Sequence, residues 1–329
     1  MASNSFGDVF RITTWGESHG KAIGVVVDGC PAGVSLTEEE VNEALVKRRP
    51  GAGGAISSRN ESDEAQILSG VFEGVTTGAP ISILIPNRDV DSSYYDEVKD
   101  LYRPGHANYT YLKKYGVFDH RGGGRASARE TASRVAAGAI ADKILQKEGI
   151  TVTAKVIEMG GATGDEMDGV VKKALEEGDS VGGIVEVIAQ GVPVGLGDPI
   201  YDKMEAKLAS AMLSLPAVKG FEIGAGFEAA RMRGSEHNDP ILPEDRFGSN
   251  HAGGTLGGIT TGQPLVFRVA FKPTPTIALS QETTDIKGEA QTIAMPTVRS
   301  DACVAIRGAV AAAAMTKLVL ADSLLKGLL

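Results

Sequence analysis

Gly74-Val75-Thr76-Thr77-Gly78-Ala79-Pro80-Ile81 returns far along the chain as Gly258-Ile259-Thr260-Thr261-Gly262-Gln263-Pro264-Leu265. In each copy two glycines bracket a short β-branched run and a proline then feeds an apolar stretch, the pattern of a turn that leads into a strand. A long helix of small residues is expected after each copy. Basic positions on and just before the two helices correspond: Arg125 and Lys143 in the first, Arg299 and Lys317 in the second. A turn, a strand and an Ala-rich helix used twice predict a single domain, 1–329, made of pseudo-equivalent halves at about 1–150 and 151–329. Glycine-rich hairpins also resemble one another by chance, and it is the matching helices that favour a repeat. Those helices carry little polar surface over 135–144 and 310–319, so they belong in the interior. The expected fold class is α+β, a β-α-β sandwich with central long helices between antiparallel sheets.

Outward from these segments, apolar alternation predicts strands at 10–15, 22–28, 67–72, 80–86, 151–158, 183–189 and 264–271. Helices are expected over 167–177, 199–213 and 302–325, and one more running to about 146. Thr37 and Glu40 have the spacing of a capping box and Leu36 and Val41 that of a hydrophobic staple. Lys47, Arg48 and Arg49 suit the end of the helix they open, and Pro50 stops it. A Gly/Ser-rich loop, 51–62, follows that basic end, and 87–102 is a long polar loop. Both are candidate lids over an anionic ligand.

The totals narrow the class. At 329 residues, 42% hydrophobic and 23% charged, the chain reads as a soluble globular protein with a large core. Its net charge of −9 argues against nucleic acid as a partner. Cys30 and Cys303 show no metal-ligand spacing and read as reduced thiols in a cytoplasmic protein. The N-terminal residues lack the basic-then-apolar pattern of a secretory signal. The most apolar stretch, 302–321, contains Arg307 and Lys317, which favours a core helix over a membrane span.

Against that acidic background Arg121-Gly122-Gly123-Gly124-Arg125-Ala126-Ser127-Ala128-Arg129-Glu130 concentrates three guanidinium groups around a glycine run. Ser127 and Glu130 have capping-box spacing, so a helix should open here. A helix start with glycines beside it lets an anion approach unpaired N–H groups. Five histidines occur, and His19, His106, His120 and His251 sit in turn or glycine-rich segments, where backbone meets ligand rather than where a helix packs. No HExxH, CxxC or acidic triad supports a metal site, and no P-loop is present. Gly224-Ala225-Gly226-Phe227-Glu228-Ala229 satisfies G-x-G-x-x-A with Glu244 downstream. The polar stretch after it, with Gly234 and Pro240, leaves no room for the long helix a dinucleotide site needs.

Gly16-Glu17-Ser18-His19-Gly20, the 121–130 segment and Arg299-Ser300-Asp301-Ala302-Cys303 resemble the three signature regions of the chorismate synthase family. Arg103-Pro104-Gly105-His106-Ala107, Ser249-Asn250-His251-Ala252-Gly253-Gly254 and Lys272-Pro273-Thr274-Pro275-Thr276 are similar to that family too. The likeness runs in the family's order from about residue 8 to 325. The resemblance implies a carbon–oxygen lyase: trans-1,4 elimination of phosphate from 5-enolpyruvylshikimate 3-phosphate, giving chorismate, with reduced FMN and no net redox change. It implies that His19 protonates the departing phosphate, that His106 protonates the reduced flavin, and that Asp301 acts with flavin N5 on the ring proton. Flavin contacts would fall to Arg125, Ala126, Ser127, Ala217, Gly257, Lys272, Pro273, Thr274, Pro275, Thr276 and Arg299. Substrate contacts would fall to Ser18, Arg48, Arg49, Arg103, Arg129 and again Arg299. A homotetramer is implied as well.

Two departures stand out. Many members carry a second basic residue where this chain reads Gly51-Ala52-Gly53-Gly54, and Arg59 is the candidate replacement. The chain ends at Leu329, before the variable polar tail that many members carry. No reductase-like segment is added, so the reduced flavin is expected from an external source rather than from NADPH used by this chain. Two other readings compete. A flavin- or phosphate-binding protein without activity predicts loss of His19, His106 or Asp301, and a nucleotide-dependent reductase needs a βαβ setting for the G-x-G-x-x-A match.

Overall fold

The computed structural model describes residues 3–49, 61–295 and 301–327. Strand alternation fixes the first layer. β1 (Ser5–Phe6), β2 (Arg11–Gly16), β3 (Ala22–Asp28), β4 (Gln66–Ile67) and, after the hairpin β5 (Val71–Phe72) and β6 (Val75–Thr76), β7 (Ile81–Pro86) follow one another in the chain. Five of them form an antiparallel sheet in the order β1-β2-β3-β7-β4. Ile23, Val25 and Val27 of β3 face Ile85, Ile83 and Ile81 of β7 in register, so six β-branched side chains share one fully buried face. Between β3 and β4 lies α1 (Glu38–Val46). Thr37 Oγ1 accepts from the Glu40 N–H and the Glu40 carboxylate accepts from the Thr37 N–H, the expected capping box, while Leu36 and Val41 are both buried.

Two short helices, α2 (Ser93–Glu97) and α3 (Asn108–Tyr115), lead to the long α4 (Thr131–Lys147). The second half runs β8 (Thr151–Met159), α5 (Met167–Glu176), β9 (Gly183–Gln190), α6 (Met204–Leu213), β10 (Val218–Ile223) and α7 (Gly234–His237). Hairpins of β11 (Ile241–Leu242) with β12 (Arg246–Phe247) and of β13 (Thr255–Leu256) with β14 (Ile259–Thr260) precede β15 (Leu265–Phe271). A third hairpin, β16 (Gln281–Thr284) with β17 (Ala290–Ile293), comes before α8 (Ala305–Gly327). β10, β15, β9 and β8 make the second antiparallel sheet in that order.

Helices α4 and α8 pack against each other; α4 covers the first sheet through β2, β3 and β7, and α8 covers the second through β8, β9 and β15. This is the expected sandwich, sheet on helices on sheet. Small residues set its thickness: a Cβ added at Gly138 of α4 would lie 2.7 Å from the Ala314 Cβ and 2.9 Å from its Cα. α8 is long and apolar enough to cross a membrane, but most of it is buried in protein, as a core helix.

The quoted repeat corresponds in detail. Thr76 Oγ1 donates to Pro31 O (2.7 Å) and accepts from the Val34 N–H (2.9 Å), while Thr260 Oγ1 donates to Pro193 O (2.6 Å) and accepts from the Leu196 N–H (2.9 Å). Backbone bonds Gly33 N–H to Thr76 O and Gly195 N–H to Thr260 O match as well. Both hydroxyls tie a turn before a helix to a hairpin before a strand.

The elements differ from expectation at their edges. The strand expected at 67–72 is broken by Gly70, whose φ of +82° turns the chain between β4 and β5. The helix expected from 199 starts only at Met204, because the chain turns there, with the Asp198 N–H bonded to Asp202 O. β10 was absent from the sequence reading, since Val218-Lys219-Gly220 gives no clean alternation and the ladder carries a bulge there.

Candidate active site

One cavity of about 1260 Å³ opens beside the N-terminal end of α4, between the first sheet, the 103–107 turn, the 272–276 strap and the start of α8. Its wall begins with the Gly/Arg segment, which does not run straight into a helix. Gly124–Ala126 and Ala128–Glu130 are two 3-10 turns, and Ser127 Oγ accepts from the Arg129 N–H at 3.2 Å. Glu130 does not complete the expected capping box. Its buried carboxylate accepts from Thr14 Oγ1 (2.9 Å) and Arg134 Nε (2.8 Å), because a buried charge needs charged or hydroxyl partners more than a helix end needs a cap. Arg125 reaches back to β2, donating to Thr14 Oγ1 (2.7 Å) and Gly16 O (3.2 Å). Gly122 must be glycine: at φ +66°, a Cβ there would come within 2.5 Å of His19 Cδ2.

The basic end of α1 folds inward. Arg48 is buried and donates from Nε to Thr131 Oγ1 (2.9 Å), from Nη2 to Ala128 O (2.5 Å) and from Nη1 to Asp63 (3.2 Å). Arg129, also buried, bonds the other Asp63 oxygen and donates from Nε to Asn87 Oδ1 at 2.9 Å. One carboxylate thus bridges two guanidinium groups. Burial draws the Arg48 guanidinium down to about 10; Asp63 opposes this, and Arg307 and Arg129 add to it.

Arg103 donates to Gly122 O at 2.7 Å and stacks over the Tyr95 ring, 5.3 Å from its centroid. The edge of His19 meets the same Tyr95 ring at 5.3 Å. His106 accepts at Nδ1 from the Asn108 N–H (3.3 Å), which leaves its ring proton on Nε2 when the imidazole is neutral. Burial, then the charges of Arg103 and Lys272, push its pKa down to about 3. Lys272 Nζ donates to Gly105 O at 2.7 Å and closes the wall beside His106; burial, with Lys219 nearby, lowers its pKa. Across the cavity Thr274 Oγ1 donates to Asp301 O (2.7 Å), and the Asp301 carboxylate lies 3.5 Å from Arg307 Nε.

The cavity therefore gathers Ser18, His19, Arg48, Arg103, His106, Arg125, Ala126, Ser127, Arg129, Ala217, Lys272, Thr274, Pro275, Thr276 and Asp301. Arg49, Gly257 and Pro273 do not line it. Arg49 is half-buried and donates to Ser62 O, Gly257 is the φ +61° turn between β13 and β14, and Pro273 is exposed. Arg299, Arg59 and most of the 51–62 loop lie outside the described residues. Of the other histidines, His120 pairs with Asp96 (2.7 Å) and His251 lies 3.2 Å from Asp239, both away from the cavity wall. The G-x-G-x-x-A match follows a strand, β10, but leads into a 3-10 turn at Gly226–Ala230 rather than a long helix.

Asp63, Tyr95 and Arg307 are among the lining residues that escaped the sequence reading. Asp63 and Tyr95 lie in or beside polar loops and carry no local pattern. Arg307 offered a signal, a charge at the start of an otherwise apolar helix.

Comparisons with known proteins identify the family. A family model described as chorismate synthase matches residues 10–325. The chain is 53% identical to the chorismate synthase of Protochlamydia amoebophila over 99% of its length and 98% of that protein's. It is 50% identical to that of Desulfatibacillum aliphaticivorans, with 99% and 96% covered, and 49% identical to that of Methanosarcina mazei, with 99% and 97% covered. A crystal structure of chorismate synthase superposes with a TM-score of 0.78 at 33% identity, covering 98% of this chain and 94% of the other.

Proposed function

The chain belongs to the chorismate synthase family, and from that premise we propose which of its residues carry out the elimination of phosphate from 5-enolpyruvylshikimate 3-phosphate to give chorismate. The single observation that carries the assignment is convergence. His19, His106, Asp301 and the guanidinium groups of Arg48, Arg103, Arg125 and Arg129, scattered over nearly 300 positions, line one cavity. The substrate bears a phosphate and two carboxylates, and bidentate guanidinium forks suit such groups.

The residues fit a flavin mononucleotide alongside the substrate. The cavity, about 1260 Å³, exceeds the roughly 300–1,000 Å³ of a one-ligand pocket. Its lining offers Arg125, Lys272 and the Ser127 hydroxyl for a phosphate, and Ala126, Ala217 and the 274–276 strap for a planar ring. When bound, reduced FMN supplies an electron-rich ring that weakens the C–O bond to phosphate without net redox change.

The chain's own groups supply protons, charge and placement. Neutral His106, held by the Asn108 N–H with its proton on Nε2, offers a hydrogen bond from that nitrogen and gives up a proton only from its protonated form. Its low proton affinity, set first by burial and then by Arg103 and Lys272, rises when an anion enters beside those cations and offsets their charge. His19, packed perpendicular to the Tyr95 ring, gives a proton to the leaving phosphate. Asp301 takes the proton lost from the ring, so hydrogen phosphate departs and one C=C is gained. Arg48 and Arg129 hold the substrate's anionic groups, Arg103 neutralises charge that grows on phosphate, and Ser18 completes the set. Arg299 belongs to the same assignment, whereas Arg49 and Gly257, off the cavity wall, do not.

The chain is one domain of two pseudo-equivalent halves, which the matching Thr76 and Thr260 bonds support. A homotetramer in the cytoplasm, fed with reduced FMN from outside, completes the proposal. Anaerobic incubation with reduced FMN and the enolpyruvyl substrate should release phosphate and chorismate in equal amounts. Phosphate release without chorismate, or none, refutes it, and aerobic turnover with NADPH and oxidised FMN alone refutes the external reductant.

A further inference from the structure

Hydrogen-bond accounting singles out one guanidinium of the cavity. Each arginine carries five N–H donors. Those of Arg48 and Arg129 are largely spent on Thr131, Ala128, Asp63, Asn87 and Pro86. Arg125 and Arg134 are likewise engaged with β2 and with Glu130 and Ser214. Arg307 is different. Its side chain is 14% exposed, its Nε and Nη2 are buried, and among the described residues neither makes a hydrogen bond. The Asp301 carboxylate, 3.5 Å from Nε, is close enough to balance charge but not to satisfy a donor. Leaving buried charged donors unmade is expensive, and a native site keeps such an arrangement where a ligand completes it. Arg307 also lies near enough to Arg48 to depress it, so the two face a shared space with Asp301 at its edge.

We propose that Arg307 is a further substrate-binding residue, whose buried Nε–H and Nη2–H donate to a phosphate or carboxylate oxygen of the substrate while the same guanidinium holds the Asp301 carboxylate in place. It rests on the family's substrate filling this cavity. It adds to the assigned cations a cavity-lining guanidinium with two buried donors that the described residues leave over.

Substrate affinity, measured by calorimetry on the protein with oxidised FMN bound so that no turnover occurs, tests it. Arg307→Gln should raise the substrate Kd by about ten- to a hundred-fold, the scale of a charge-assisted bond, and leave the FMN Kd within about two-fold. Arg307→Lys keeps the charge and should lose less; it also serves where Arg307→Gln folds poorly. The comparison is repeated in an Asp301→Asn background, where a residue acting only through Asp301 would have no further effect. A further loss of substrate affinity there supports the contact, and an unchanged Kd overturns it, as does a loss confined to FMN. Affinity for chorismate separates the sources: an equal loss points to a carboxylate, and a loss for substrate alone points to the phosphate. Phosphate release by the wild-type enzyme in parallel keeps failure of this contact distinct from failure of the reaction assignment.

Discussion

At the scale of single residues, His106 joins chemistry to stability. Its imidazole is neutral in the folded protein down to about pH 3, whereas the unfolded chain takes up that proton near 6.5. The unfolded state therefore binds more protons between those values, and stability must fall as pH drops through that window. His106→Asn, which cannot titrate, should lose less stability than the wild type between pH 6.5 and 4 in urea midpoints; parallel curves would show that His106 titrates normally. His106→Ala should slow turnover by about 10²–10⁴-fold with the fold intact, and near-wild-type turnover would remove it from the mechanism. Asp63 shows the opposite economy: its carboxylate, 2% exposed, is shared by two buried arginines. Asp63→Ala leaves both unpaired, so unfolding free energy should drop by about 3–5 kcal/mol. A drop under 1 kcal/mol, read by denaturant titration, would mean the pair is solvated after all. His19, His106 and the Gly/Arg run were legible in the sequence because glycine beside a titratable group is a local signal. Asp63 and Tyr95 were not, because their roles exist only through partners brought in from distant segments: Arg48 and Arg129 for one, His19 and Arg103 for the other.

At the scale of elements, the capping box at Thr37 and the strand β3 could be read directly, since hydrogen bonds a few residues apart and strict alternation are properties of the local chain. The start of α4 could not. Ser127 and Glu130 have capping-box spacing, yet the buried Glu130 is claimed by Thr14 and Arg134, so tertiary demand overrode the local motif. The α4–α8 contact is the element-scale feature that a substitution can probe best. Gly138→Ala gains up to about 1 kcal/mol of helix propensity. It also forces a methyl to within 2.9 Å of Ala314 Cα, a backbone atom that cannot swing aside. Overpacking of this kind costs about 1–3 kcal/mol, so the variant should be less stable overall, by calorimetric midpoint or urea. A rise in stability would show that α4 and α8 slide apart freely, and that the helical layer does not fix the spacing of the two sheets.

For the whole molecule, net charge and local charge point in opposite directions. The chain carries −9, yet among the described residues nine basic side chains and only five acidic ones line the cavity. An acidic exterior repels a polyanion at long range, whereas the basic, low-dielectric cleft focuses attraction at its mouth. Two lysines of that lining, Lys114 and Lys219, are exposed there rather than spent on buried pairs. They act on approach rather than on the bound state, so the effect belongs to kcat/KM and must be screened by salt within about a Debye length. Raising ionic strength from low values to roughly 0.5 M should lower kcat/KM for the substrate by about tenfold or more while kcat holds. Lys114→Gln combined with Lys219→Gln should lower kcat/KM at low salt and flatten the dependence, because what salt screens has already been removed. If kcat/KM proves indifferent to salt in both proteins, the clustered charge serves only to hold the ligand once it is inside, and the overall negative charge has no bearing on its capture.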